Sequence, residues 1–252
     1  MFRFFILSST ILISLSAMSA ESLGTDLTFS QKHISPVLHR ASDRTSLLTL
    51  IGGAFAVGLT NPQDDQVRSE WKNHQQIDKN SAHIGDLMGT GAVAVLSSGI
   101  QYYFDDRSYA YQSHLRGLAY GGIAIYTLKT AFARPRPGNS DNHQSFPSGH
   151  SSIAFMSATH LSYAYGWKAA VIAYPIAAFV GASRLADDVH WYSDTVAGAF
   201  LGFIVGRATY YDENEFYQIN VTEQSQSSAK IQTQVFPFWT SETAGLAAFV
   251  SF

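Results

Sequence analysis

No cysteine occurs among the 252 residues. Disulfide staples, thiolate-ligated zinc and thiol nucleophiles are therefore excluded. Charge is also scarce. Asp, Glu, Lys and Arg make up 14% of the chain against 46% hydrophobic residues, a low charge content for a water-soluble protein. The mean hydropathy of −0.00 is nonetheless below that of a typical multi-span membrane protein. Neither sign of charge dominates: 16 basic and 19 acidic side chains leave −3, so no nucleic-acid partner is expected. Repeats and low-complexity tracts are lacking. His33, His39, His74, His83 and His114 show no metal-ligand spacing, and neither a metal nor a cofactor is expected.

What is present begins with an export signal. Residues 1–20 place Arg3 before a short apolar run, Phe4 to Leu15, and then the small residues Ala17 and Ala20. The run is shorter than the roughly 20 residues a membrane span needs, so cleavage and export to a periplasm are expected. Residues 21–44 read as an irregular or short helical lead-in. Six apolar segments follow, at residues 46–59, 84–100, 115–132, 150–165, 167–182 and 195–207, rich in Ala, Leu, Ile, Gly and aromatics and bounded by polar or Gly/Pro loops. The expected fold is all-α: a six-helix bundle forming a domain over 21–211. Residues 212–252 turn polar and then β-branched and aromatic, as "IQTQVFPFW" and "AGLAAFVSF", which predicts a C-terminal extension with a short hairpin docked on the bundle.

Three groups of polar residues fall at the segment ends. "KTAFARPRP" carries Lys129 and Arg136 where the third helix ends. "FPSGHSS" carries Ser148, Gly149 and His150 where the fourth begins. "SRLADDVHWYSD" carries Arg184 where the fifth ends, and His190 and Asp194 where the sixth opens. In an up-and-down bundle these ends share one pole. Lys129, Arg136 and Arg184 supply positive donors for a phosphate, the arginines gripping two oxygens at once. Ser148 suits a helix N-cap, and Gly149 and His150 offer backbone N–H groups at the positive helix end. His190 and Asp194, four apart, would share one helix face. The carboxylate then accepts the proton of one ring nitrogen, and the other nitrogen attacks phosphorus. His150 would protonate the leaving oxygen and later activate water.

These residues spell Lys129, six residues, Arg136-Pro137; then Pro147-Ser148-Gly149-His150; then Ser183-Arg184, five residues, His190, three residues, Asp194. This resembles the tripartite signature of the type-2 phosphatidic acid phosphatase superfamily, which also holds acid phosphatases and vanadium haloperoxidases. The resemblance implies Lys129, Arg136, Ser148, Gly149 and Arg184 as phosphate ligands. It implies His190 as nucleophile, Asp194 as its orienting partner and His150 as general acid. The activity it implies is metal-independent hydrolysis of phosphate monoesters through a phosphohistidine. Lipid phosphates, pyrophosphates and small soluble esters are all candidate substrates, and a vanadate-dependent haloperoxidase is the alternative. Outside the signature, Arg134 is expected to be a solvated loop charge. Asp187 and Asp188 are expected to face solvent, His143 and His160 to be structural or superficial, and Trp191 and Tyr192 to pack at the helix start.

Solubility is argued from length and topology. A helix over 46–59 covers about 21 Å, short of the roughly 30 Å hydrocarbon core. A leader followed by six spans would put the end of the third helix on the cytoplasmic side, whereas membrane members of the family are expected to face their site outward. A periplasmic globular enzyme is therefore expected, with membrane association as the alternative and no oligomeric state assigned.

Overall fold

The computed structural model describes residues 33–211 and the backbone of residues 232–239 and 244–251. The expected leader at 1–20 lies outside the described residues. The chain divides into two compact units, Met1–Tyr211 and Asp212–Phe252.

The first unit is all-helical. Its helices are α1 (Ser35–Ser42), α2 (Arg44–Thr60), α3 (Asp64–Asn73), α4 (Lys79–Gly89), α5 (Ala92–Phe104), α6 (Ser108–Phe132), α7 (Gly149–Tyr165), α8 (Trp167–Ala186) and α9 (Tyr192–Thr209), with a 3-10 turn at Asn61–Gln63. Local chemistry sets several starts. Asp43 caps α2 by accepting from Ser46 N at 2.9 Å. Asp78 caps α4 by accepting from the backbone N–H groups of Asn80 and Ser81. These caps satisfy donors that have no partner within the helix.

Three features depart from the six-helix expectation. The run 84–100 is two helices, because Gly91 takes φ +89°, a left-handed conformation that ends α4 and lets α5 start afresh. The lead-in is helical from Ser35, where Pro36 preorganises the first turn of α1. The stretch after residue 60, taken as a loop, holds α3. That helix has no apolar stripe to reveal it, but Asp64 and Asp65 stand at its positive end.

The core is a close contact between α7 and α9. Gly198, Gly202 and Gly206 form a stripe four residues apart along α9. A Cβ at Gly198 would stand 2.6 Å from the Ser148 carbonyl, one at Gly206 2.7 Å from that of Met156, and one at Gly202 would run into that of Ser152. Only hydrogen fits there, so the two backbones touch. α8 joins on the other side of α7 through Ala158, Ala173 and Ala177. α2 packs on α9 where Gly53 faces the ring of Phe200. At the far end, Arg207 donates to Asp43 at 2.6 Å and 2.9 Å, tying the end of α9 to the start of α2. That end also buries His114 against His160, ten residues along α7 from His150 and about 15 Å from it by helical rise. His160 is thus structural, as expected.

The outer surface of this unit is apolar. On α2, Leu47, Leu48, Leu50, Ile51, Phe55 and Leu59 are exposed, and only Ser46 and Gly53 are buried. α5 exposes Val95, Leu96 and Ile100, and α8 exposes Val171, Ile172 and Ile176. Helix lengths also exceed the apolar runs that signalled them. α6 has 25 residues and α8 has 20, about 37 Å and 30 Å, so the length argument for solubility does not hold for them.

In the second unit, β1 (Gln232–Trp239) and β2 (Ala244–Ser251) pair antiparallel, with Gln232 opposite Ser251 and Trp239 opposite Ala244.

Candidate active site

The end of α6, the start of α7, the end of α8 and the start of α9 meet at one pole, joined there by α3, α4 and the loop 133–148. The charges of Lys129, Arg136 and Asp194 all bear on His190. Those of Arg184, Asp86, His190 and Arg136 bear on His150. The three sequence groups therefore share one neighbourhood.

Ser148 occupies the N-cap of α7, where its side chain accepts from Ser151 N. Its own N–H donates to the Asp194 carbonyl at 3.0 Å, joining the starts of α7 and α9. Gly149 follows as the first helical residue, and a Cβ there would come within 4.0 Å of Lys129 Cε. Lys129 donates its ammonium to the carbonyl of Gln144 and so sits between α6 and the loop. The Arg136 backbone N–H is bonded to Asn142 O at 2.9 Å, but its guanidinium Nε is buried with no hydrogen-bond partner. Burial pushes this guanidinium below its ordinary value; Arg184 acts the same way and Asp194 opposes it. An unmatched donor of this kind suits an incoming oxyanion.

His190 lies in the turn between α8 and α9, ahead of the helix. The i,i+4 helix-face relation expected with Asp194 is thus not what joins them. Asp194 is the third residue of α9, and the chain folds back so that His190 Nδ1 stands 3.6 Å from Asp194 Oδ2, at ion-pair distance but beyond a hydrogen bond. Nε2 is the other ring nitrogen. Burial pushes the imidazole below its ordinary value, opposed by Asp194 and assisted by the positive charges of Lys129 and Arg136. The ring is thereby held neutral.

Asp194 is fully buried and amply bonded. Oδ2 accepts from Ser145 Oγ at 2.5 Å and from Trp191 N at 3.0 Å, and Oδ1 accepts from Arg134 Nη1 at 2.6 Å. Arg134 is therefore not the solvated charge expected. It also donates to Ser193 Oγ at 2.8 Å and to Asp64 at 2.7 Å, while Asp64 accepts from Ser193 N at 2.8 Å. Of the two aspartates expected to face solvent, Asp187 is exposed and Asp188 is half-buried. Asp187 accepts from Arg184 Nη2 at 2.8 Å, and Asp188 accepts from Arg68 at 2.7 Å and 2.9 Å. Trp191 packs as expected, under the guanidinium groups of Arg68 and Arg134, with its indole N–H on the Pro135 carbonyl. His143 is exposed and contacts the Ala133 carbonyl.

Arg184 is buried, and it also bonds Asp86 of α4. Asp86, Asp64, Ser145 and Arg68 adjoin these residues and belong to no motif in the sequence. Arg134 was named and given the wrong role.

Comparison with known proteins agrees with the tripartite signature. Residues 111–218 match the model of the PAP2 superfamily. The lipid A 1-phosphatase of Porphyromonas gingivalis is 38% identical over 99 residues, which is 38% of this chain and 22% of that protein, so the chain spans about a fifth of that relative's length. Among solved structures, LpxE of Aquifex aeolicus is similar at 24% identity and a TM-score of 0.48, covering 55% of this chain and 90% of that one. A transmembrane PAP2-type phosphatidylglycerolphosphate phosphatase from Bacillus subtilis is similar at 21% and 0.46, covering 71% and 94%.

Proposed function

Starting from a chain that matches the PAP2 superfamily over residues 111–218, we propose that it is a membrane-embedded phosphatase that hydrolyses the phosphate monoester of a lipid through a phosphohistidine. The observation that carries the chemistry is the unpartnered, buried Nε of Arg136, whose charge bears on a His190 imidazole that burial biases toward its neutral form. A cationic hollow next to an uncharged nucleophile is what in-line attack on a phosphate dianion requires.

His190 Nε2 attacks phosphorus, and the bond from phosphorus to the ester oxygen breaks. His150 gives its proton to that oxygen. Water then attacks the phosphohistidine, His150 takes up a water proton, and the N–P bond breaks to release phosphate. Lys129, Arg136, Arg184 and the N–H groups at the start of α7, behind the Ser148 cap and opened by Gly149, hold the equatorial oxygens. Asp194 orients His190 and stabilises the positive ring formed on attack.

The exposed apolar surface supports a lipid environment for the helices. α2 is hydrophobic on nearly every face yet mostly unburied, a pattern that fits a helix whose solvent is hydrocarbon. Among the described residues one helix, α8, meets the test of length and mean hydropathy for a span on its own. The name of the Porphyromonas relative supports a phosphorylated lipid as substrate.

The test uses full-length protein in detergent, with lipid phosphates, lipid pyrophosphates and small soluble esters in EDTA. Release of phosphate from a lipid monoester, lost in His190→Ala, is expected. Turnover unchanged in His190→Ala overturns the nucleophile. Release of the protein from membranes by carbonate without detergent overturns the membrane assignment.

A further inference from the structure

Asp86, 43 residues before the first signature residue, reaches two of the site's working groups. Its Oδ1 accepts from Arg184 Nη1 and also lies 3.1 Å from His150 Nε2, within ion-pair distance but out of line for a hydrogen bond. The carboxylate is 40% exposed, so it faces the open pole. Its position is fixed by the glycines on either side. A Cβ at Gly85 would run into the Ser183 side chain, and one at Gly89 would stand 2.6 Å from Cβ and Cδ2 of His150. α4 therefore lies in contact with both α8 and α7, with Asp86 between the contact points.

In this arrangement four of the five N–H donors of Arg184 have protein partners. Nε donates to Ser183 Oγ at 3.2 Å, Nη1 to Asp86, and Nη2 to Asp187 at 2.8 Å and to the Ala82 carbonyl at 3.5 Å. A phosphate that grips Arg184 through two N–H groups must displace at least one of these partners, and two of them are carboxylates. Asp86 is the more exposed of the two and comes from a different helix. Once displaced, its Oδ1 still faces His150. Burial opposes a proton on His150 most, and the charges of Arg184, His190 and Arg136 oppose it as well, while Asp86 alone among the charged groups bearing on it favours one.

We propose that Asp86 is a positioning residue that exchanges partners: it holds Arg184 in the empty site, and serves as counter-ion to the protonated His150 once phosphate has claimed Arg184. Substrate binding is thereby coupled to arming the acid. His150 Nε2 takes a proton from solvent as the phosphate enters, then passes it to the ester oxygen as the P–O bond breaks and that oxygen keeps the electron pair. The neutral ring is then ready to take a proton from water.

This inference rests on the phosphatase reading above. Its test compares wild type, Asp86→Asn and Asp86→Glu, full length in detergent, on p-nitrophenyl phosphate and on a simple alkyl phosphate. The first leaving group needs no proton and the second does. In Asp86→Asn, kcat for the alkyl ester should fall about 10- to 100-fold, within the range general acid catalysis supplies. The ratio of nitrophenyl to alkyl rates should rise at least ~10-fold, and the alkaline limb of the alkyl profile should move to lower pH. Vanadate, titrated by vanadium NMR, should bind as well as to wild type or tighter, because Arg184 has lost its competitor. Asp86→Glu should restore part of the alkyl rate. Equal loss on both esters, or weaker vanadate binding in a variant whose melting temperature is unchanged, overturns the exchange and leaves the phosphatase reading standing. Normal turnover by His190→Ala removes both.

Discussion

Arg134 Nη1 donates to Oδ1 of Asp194 at 2.6 Å, at a point where the carboxylate is wholly buried. Asp194 Oδ2 in turn stands 3.6 Å from His190 Nδ1. A loop residue outside the signature thus holds the orienting carboxylate in place. Arg134→Gln should leave Asp194 and Asp64 short of a counter-ion. The cost is expected to be on the order of 2–3 kcal/mol, discounted from the full buried-pair value because Arg134 is partly exposed. Thermal unfolding in detergent measures this, and an unchanged melting temperature would contradict the role.

Asp194→Asn keeps the shape but not the charge. The ring then loses the group that stabilises its positive form, and kcat should drop roughly 10³–10⁴-fold, as in comparable His/Asp pairs. Substrate affinity should change far less. A drop confined to KM would argue against an orienting role.

Burial lowers the affinity of His190 for a proton. The nucleophile is the unprotonated form, so phosphohistidine formation should persist as pH falls below the ordinary imidazole value near 6.5, and fail only once the folded ring is protonated. The stability term has the same sign. Below about 6.5 the unfolded chain gains a proton that the folded ring refuses, so this stabilisation is complete above that value and declines as pH falls toward the folded pKa. Acid-quench trapping of labelled phosphoenzyme across pH reads the first effect directly. Loss of label already above 6.5 would sink it.

Gly202→Ala places a methyl against the Ser152 carbonyl of α7. Backbone cannot swing aside like a side-chain tip, so α7 and α9 must separate, at about 1–3 kcal/mol or more. Gly122→Ala, at a site with open space beyond it, is the control. Unfolding in a graded series of denaturing detergent should separate the two variants.

Much of this site was legible because phosphate chemistry demands particular residue types at helix ends. Lys129, Arg136, Ser148, His150, Arg184, His190 and Asp194 announce themselves that way. Apolar composition marks the long helices for the same reason, since burial against neighbours or lipid leaves a compositional trace. The supporting residues leave none. Asp64 meets Arg134 across 70 residues, and Asp86 meets Arg184 across 98. Such pairs are set by how helices pack, and neither aspartate belongs to a motif that would show its partner. The His190–Asp194 spacing suggested a shared helix face, but the helix starts at Tyr192 and the chain bends back instead. The apolar run at 115–132 is likewise shorter than the helix it belongs to, Ser108–Phe132, because tyrosines and polar residues extend it.

The interruption at Gly91 has a mechanical side. Val95 N bonds to Gly91 O and begins a new ladder, while α4 closes at Thr90. On the membrane-embedded reading proposed above, the hydrogen-bond ladder of α5 stops short of the helix that carries Asp86, so the two helices can tilt separately about Gly91.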